Sequence, residues 1–513
     1  MQEVISMGFE SILGEKKPKK IRPDDIIMPS FFVDLNLDQI TQDIMEEQKL
    51  YDLRRFYYFK AEDQDEINYR MDVLRELEKE HLRKSVENFA LGMRNAREYL
   101  GYSMKTDHLV QKQKWKLDAM ETYLSSVTRL YEALMKETLS SRGFLLLREW
   151  LTGYVSGQDY SNMKDDCSQL MDQFKQLRYS VRIERDKVII EQEYQEEDYC
   201  RELLETFQVK SDMEHVYMQN PFGTNELSAL ETQILDVLQK LYGEVFQNLK
   251  NFDQKYSNFL SEVLNDLEHE VWFYLAFLSY RTKMEQDHYH FCYPILTKEF
   301  HIKEAYDLAL AKKNAMAQKP VIYNDCYYQE EERFLVITGP NQGGKTTYAR
   351  ALGQILYFAS LGLLVPAREA RFPVFDIILT HFAVEESINN GAGKLKEELV
   401  RLKQMMSKVT ERSFVIINEI FTSAASYDSF IMGKRVLDFF MDRRCLGVYV
   451  THIYELTNQD TRIVSMVAAL REDNSNVRSF RIVRKPADGI SYADTIVSKY
   501  QLSYQQVKER LIK

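Results

Sequence analysis

The sequence predicts a mixed fold: a long-helix α core, then an α/β domain and a short C-terminal helical tail. Three observations carry that expectation. No proline occurs between Pro29 and Pro221, or between Pro221 and Pro294, and proline breaks helix interiors. Nine of the 19 glycines fall in residues 1–320 and ten in the shorter remainder, so tight turns concentrate late. From about Pro320, the short apolar runs Phe334–Ile337, Phe414–Ile417 and Val448–Val450 alternate with amphipathic stretches. That is the pattern of buried parallel strands joined by helices. A length of 513 residues suggests about three domains. The expected sections are an extension over 1–40, a helical core over 41–319 and the α/β section over 320–513.

The helical elements follow from apolar spacing. Ile67, Met71, Leu74 and Leu77 mark one helix, with Asp63 or Asp65 as its N-cap. Leu117, Met120, Leu124, Val127, Tyr131 and Leu134 alternate steps of three and four, which puts them on one face of a second. A third pattern starts near Thr224 and runs through Leu227, Leu230, Ile234, Leu238, Leu241, Val245 and Leu249 towards Tyr280. Unbroken, it makes a lever of about 85 Å at 1.5 Å per residue, with Gly243 its weak point. The other reading is a bundle broken by turns. Between these helices Tyr179, Val181 and Ile183 alternate with polar residues, and Val188–Ile190 follow after four charged ones. This predicts a hairpin, the start of a small insertion over about 178–220. Helices are expected over Lys345–Phe358 and Lys394–Met406 in the α/β section.

Composition excludes several classes. The chain is 45% hydrophobic and 28% charged, as globular proteins are. No apolar run approaches the roughly 20 residues that a membrane helix needs, and residues 1–14 lack the pattern of a secretory signal. Five scattered cysteines without a CxxC pair fit reduced thiols and a cytoplasmic location. A net charge of −11 argues against wholesale coating of nucleic acid and leaves a local basic track open. His288-x-His290-x-Cys292 would share a face on a strand, but it lacks a fourth metal ligand and reads better as a turn leaving the long helix.

The chemistry concentrates at Gly339-Pro340-Asn341-Gln342-Gly343-Gly344-Lys345-Thr346, which fits G-x-x-x-x-G-K-[ST]. Glycines let backbone N–H groups curl round phosphates, and the helix that follows points its positive end at them. Lys345 is placed to reach the β- and γ-phosphates and the Thr346 hydroxyl to ligate Mg²⁺. A second strand, Phe414–Ile417, ends in Asn418-Glu419. At such a strand end Glu419 is the candidate general base, and Asn418 stands where an aspartate is usual in the Mg²⁺ shell. A third strand, Gly447–Val450, ends in Thr451-His452. His452 is a candidate γ-phosphate sensor, the ordinary alternative being a structural histidine.

In this order the pieces resemble the ATPase domain of the MutS mismatch-repair family, an ABC-type P-loop ATPase. The resemblance rests on Phe334–Tyr348, above all Gly339-Pro340-Asn341-x-Gly343-Gly344-Lys345, with Thr347 in the same stretch. It rests also on Val365-Pro366-Ala367, on Ser426-Tyr427-Asp428 and on Thr451-His452-x-x-Glu455-Leu456-Thr457. Ser491-Tyr492 and the tail to Lys513 are similar to the family's dimerising C-terminus. Over 30–320 the likeness rests on helix lengths and on Asn68-Tyr69-Arg70-x-x-Val73-Leu74-x-x-Leu77-Glu78, which looks like the start of the family's core and lever. The hairpin would then belong to a reduced clamp region.

The resemblance implies further roles. Val321 and Asn324 fall at the approach to the adenine pocket, with Val321 where relatives place a stacking aromatic. Gly393 falls at the signature serine that contacts the partner's nucleotide, and Lys394 beside it would bring a positive charge to that γ-phosphate. Departures are as informative. About 40 residues precede the core, too few for a mismatch-reading domain, and they hold no Phe-x-Glu wedge. Nothing after the ATPase section resembles a nuclease domain. Ala424 and Ala425 replace part of the polar D-loop. The implied protein is a homodimeric ATPase using ATP and Mg²⁺, closing on double-stranded or branched DNA without reading mismatches. The alternative is a nucleotide-gated interaction switch that hydrolyses weakly and does not bind DNA.

Overall fold

The computed structural model describes residues 8–16, 22–184, 187–192, 227–382, 393–470, 478–487 and 508, which form a mixed fold of helices and sheets. They divide into two compact units: Met1–Ile12 with Glu76–Val271, and Leu13–Arg75 with Trp272–Lys513. Among the described residues no helix is long and apolar enough to cross a membrane.

The first unit is helical. Its longest elements are Glu80–Lys105 and Leu109–Lys136, which pack against each other. Of the expected stripe, Leu117, Met120, Leu124, Val127 and Leu134 are buried, while Tyr131 is half-buried and Leu130 takes the core position instead. A strict alternation of threes and fours drifts round a helix of 3.6 residues per turn, so the buried face shifts by one residue. The next helix, Arg142–Val155, starts under a double cap. Ser141 accepts from the Phe144 N–H, and the buried Glu76 carboxylate accepts from the Ser140 and Ser141 N–H groups at 2.7 and 3.0 Å. The expected hairpin is present: β1 (Tyr179–Glu184) and β2 (Lys187–Gln192) pair antiparallel, Tyr179 opposite Gln192. The rest of the expected insertion, 193–220, lies outside the described residues.

The unbroken lever is not formed. The pattern from 224 onwards is divided into Ala229–Leu241, Gly243–Lys255 and Glu262–Gln286. The first of these opens on a capping box made by Ser228 and Glu231. Tyr242 (φ −119°, ψ 43°) ends it beside Gly243, and Tyr256 (φ −117°, ψ 51°) ends the second. Each break sits on a tyrosine whose hydroxyl is tied elsewhere: Tyr242 to the Arg178 carbonyl, Tyr256 to Asp166 at 2.7 Å. Apolar periodicity reports which face is buried and carries no record of such ties, so the bundle reading holds.

The second unit carries two sheets. A four-stranded one is built from β3 (Ile295–Leu296), β4 (Phe300–Ala305), β5 (Asn324–Tyr328) and β7 (Glu369–Phe372), in the order β3-β7-β4-β5. The six-stranded sheet uses β6 (Phe334–Thr338), β8 (Ile377–Phe382), β9 (Ser413–Asn418), β10 (Leu446–Val450), β11 (Ile463–Leu470) and β12 (Arg478–Arg484). Their order is β12-β11-β6-β10-β9-β8, with only β12 antiparallel to its neighbour. Every residue of β6 and β9 is buried, as a parallel sheet covered on both faces requires.

The helix after β6, Lys345–Ser360, is buried almost all round from Tyr348 onwards. A helix with no polar face needs cover on every side. The segment 31–57 supplies it: Phe32 packs edge-on to Tyr357, Gln354 Nε2 donates to the Leu35 carbonyl at 2.8 Å, and Tyr357 Oη donates to the Tyr57 carbonyl at 2.7 Å. Residues well upstream of the α/β section thus hold the helix that opens at the glycine loop.

Candidate nucleotide site

The glycine loop joins the C-terminal end of β6 to the Lys345–Ser360 helix. Gly339 (φ 124°) and Gly344 (φ 93°) are left-handed, a conformation that a side chain resists, and Gln342 (φ 60°) adopts it too. Gly344 at the helix start has no side chain to cap it, so its first N–H groups keep their capacity for an anion. Lys345 is buried and folds back, donating to the Gly339 and Pro340 carbonyls at 3.0 and 3.1 Å. Burial pushes its ammonium below the ordinary lysine range, and the nearby Glu419 opposes that shift.

Three other strand ends meet the loop. β9 ends at Asn418, whose Oδ1 accepts from Thr346 Oγ1 at 2.9 Å. Glu419 then turns into the left-handed region (φ 52°), with its N–H on the Val450 carbonyl of β10 at 2.9 Å. β10 delivers His452, whose Nε2 lies 3.0 Å from Glu419 Oε1. That hydrogen bond holds the Glu419 carboxyl below the usual carboxylate range, with burial opposing and Lys345 assisting. His452 is 45% and Glu419 30% exposed. The contact therefore orients the carboxylate more than it stabilises the fold. From β12, Arg478 Nε donates to the Asn341 carbonyl at 3.3 Å.

A pocket of about 580 Å³ opens over this loop, within the range of small-molecule sites. Besides Asn341–Tyr348 and Glu419, it is lined by Tyr306, Leu310, Val321, Ile322 and Phe480. Val321 is buried in the pocket wall, and aromatic rings line the same pocket. Phe480 on β12 has a left-handed backbone (φ 58°) and is half exposed. Asn324 also lines the pocket, yet both ends of its amide are engaged by β12: Nδ2 donates to the Phe480 carbonyl at 3.1 Å and Oδ1 accepts from the Ile482 N–H at 2.7 Å. It thus fixes the strand that carries Phe480.

The structure brings together Gly339 to Thr347, Asn418, Glu419, His452, Val321 and Asn324. Gly393 and Lys394 stand at the start of the Lys394–Lys408 helix; Gly393 is not among the described residues that line this pocket, and the Lys394 side chain lies outside the described ones. Residues 390–392, and Ser491 with Tyr492, lie outside the described residues. Phe480 and Arg478 were not singled out from the sequence. Their only signal is the alternation Arg478, Phe480, Ile482, Arg484, which marks a strand and nothing of its destination.

Residues 335–508, the stretch that holds the loop and all three strand ends, match the family model MutS domain V. Over this stretch the chain is similar to the MutS family. Among its MutS relatives, the DNA mismatch repair protein MutS of Thermotoga neapolitana is 28% identical over 283 residues, 53% of this chain and 34% of that protein. MutS of Bacillus cytotoxicus is 28% identical over 281 residues, 52% of this chain and 30% of its own. MutS of Streptococcus agalactiae is 26% identical over 276 residues, 52% and 31%. The chain thus spans about a third of the length of the curated MutS proteins it matches.

Proposed function

We propose that this chain is a MutS-like ATPase of the cytoplasm that works as a homodimer and couples nucleotide state to DNA. The observation that carries the reading is the convergence of Lys345, Thr346, Asn418, Glu419 and His452 at one end of the 580 Å³ pocket. Loop amides and Lys345 would bind the β- and γ-phosphates, Lys345 exchanging its two carbonyl contacts for phosphate oxygens. Glu419 would accept a proton from the attacking water, with His452 holding its carboxylate in place. Phe480 and Val321 would pack on the adenine.

Thr346 Oγ1 and Asn418 Oδ1 are adjacent oxygen donors, the kind of ligand that a hard divalent cation takes. With Glu419 near by they fit Mg²⁺, which when bound supplies charge neutralisation at the phosphates. Asn418 brings no charge to that set, which points to slow turnover. DNA binding would rest on phosphate contacts and shape.

A second reading keeps ATP binding but makes the chain a nucleotide-gated interaction switch without DNA. The neutral Asn418 and the net charge of −11 favour it. Steady-state ATP hydrolysis with and without branched DNA, with Lys345→Ala as blank, separates the two. Turnover above the blank that changes with DNA, together with a salt-dependent DNA affinity, is the expected outcome. ATP binding with turnover equal to the blank and no DNA affinity would leave the switch.

A further inference from the structure

We infer that Glu398 is a positioning residue for Glu419, acting from the Lys394–Lys408 helix through the backbone turn that carries the carboxylate. The inference rests on the ATPase reading above and adds a residue to it.

Glu419 and Phe421 are both left-handed, at φ 52° and 63°, two residues apart and neither of them glycine. Such a backbone persists only where its surroundings over-determine it. Three anchors do so. The Glu419 N–H is held by the Val450 carbonyl at 2.9 Å. The Phe421 carbonyl accepts from Ser429 Oγ at 2.8 Å. The Phe421 N–H donates to Glu398 Oε2 at 3.1 Å.

The third anchor is unusual chemically. Glu398 is 1% exposed, and among the described residues its other oxygen, Oε1, is buried without a hydrogen-bond partner. Burying a carboxyl group for one hydrogen bond is costly where an apolar side chain would fill the same space. What an apolar residue could not supply is the acceptor for Phe421. The turn of helix that carries Glu398 is itself held: His381 Nε2, on buried β8, donates to the Glu398 main-chain carbonyl at 3.1 Å. Glu398 therefore joins the helix that begins at Gly393 to the turn that aims Glu419 at the glycine loop. A shift of that helix would be felt at the carboxylate.

The test compares Glu398→Met, which fills the volume without an acceptor, with Glu398→Gln, which keeps one. Both are made in the full chain, with Lys345→Ala as blank. Hydrolysis gives kcat, and a fluorescent ATP analogue gives nucleotide affinity separately. The methionine variant should lose about 10- to 100-fold in kcat, the scale of a small misplacement of a reacting group, with nucleotide affinity close to the parent's. The glutamine variant should recover most of that turnover. Equal turnover in the two variants, or a parallel loss of binding and turnover in both, overturns the positioning role. A parent that binds ATP without turnover above the blank overturns the ATPase reading, and the positioning role with it.

Discussion

On the proposed ATPase reading, Asn418 is the residue at which the site's chemistry turns. Its amide oxygen meets Thr346 as a carboxylate would, so the geometry of the strand end is kept while a negative charge is absent. Cation affinity at oxygen sites follows the charge count of the ligands. Asn418→Asp should therefore lower the Mg²⁺ concentration for half-maximal ATP turnover by about tenfold, read from a Mg²⁺ titration at fixed ATP. An unchanged midpoint would remove Asn418 from the cation shell. At this scale the sequence was a good guide where chemistry is tied to local spacing: the Lys345–Thr346 pair, the Asn418-Glu419 step and His452 do meet. It was silent about Phe480. A side chain reaches the pocket from β12 because of a left-handed backbone and the grip of Asn324, neither of which has a spacing to read.

Single elements stand or fall on their ends. The Arg142–Val155 helix starts on the Glu76 carboxylate, whose pKa sits below the usual range: burial pushes it up, but hydrogen bonds from Ser141 and Ser140 and the nearby Lys79 pull it down further. A carboxylate depressed in the folded state stabilises fully above its unfolded pKa, and the contribution is lost as pH falls through the folded value. Glu76→Ala should thus cost about 1–3 kcal/mol at neutral pH. The gap to the parent should shrink below the ordinary carboxylate range, as followed by urea unfolding across pH. A gap independent of pH would mean that packing, not charge, holds this end. Element ends were also where sequence reading went astray. The strands β6, β9 and β10 lie where their apolar runs predicted, because a doubly covered strand needs only apolar residues. The stripe from 224 is continuous, so spacing alone leaves an unbroken lever and a bundle broken by turns both open. Its breaks at Tyr242 and Tyr256 depend on hydroxyl partners far away in sequence.

For the whole molecule, the order of strands outweighs any one contact. β6, which opens the glycine loop, lies between β10 and β11, partners that arrive more than 100 residues later in the chain. The pocket likewise closes only when Phe480 reaches residues near 306. Pairings between such distant segments form slowly, because a long loop must close before any contact is gained. The candidate nucleotide site is thus expected to be among the last features to assemble as the chain folds. A ligand that recognises only the finished site has nothing to hold in the barrier state. ATP should slow unfolding after a denaturant jump and leave the refolding rate almost unchanged. If ATP accelerated refolding instead, the loop and its neighbours would have to come together early, against the order that the sheet imposes.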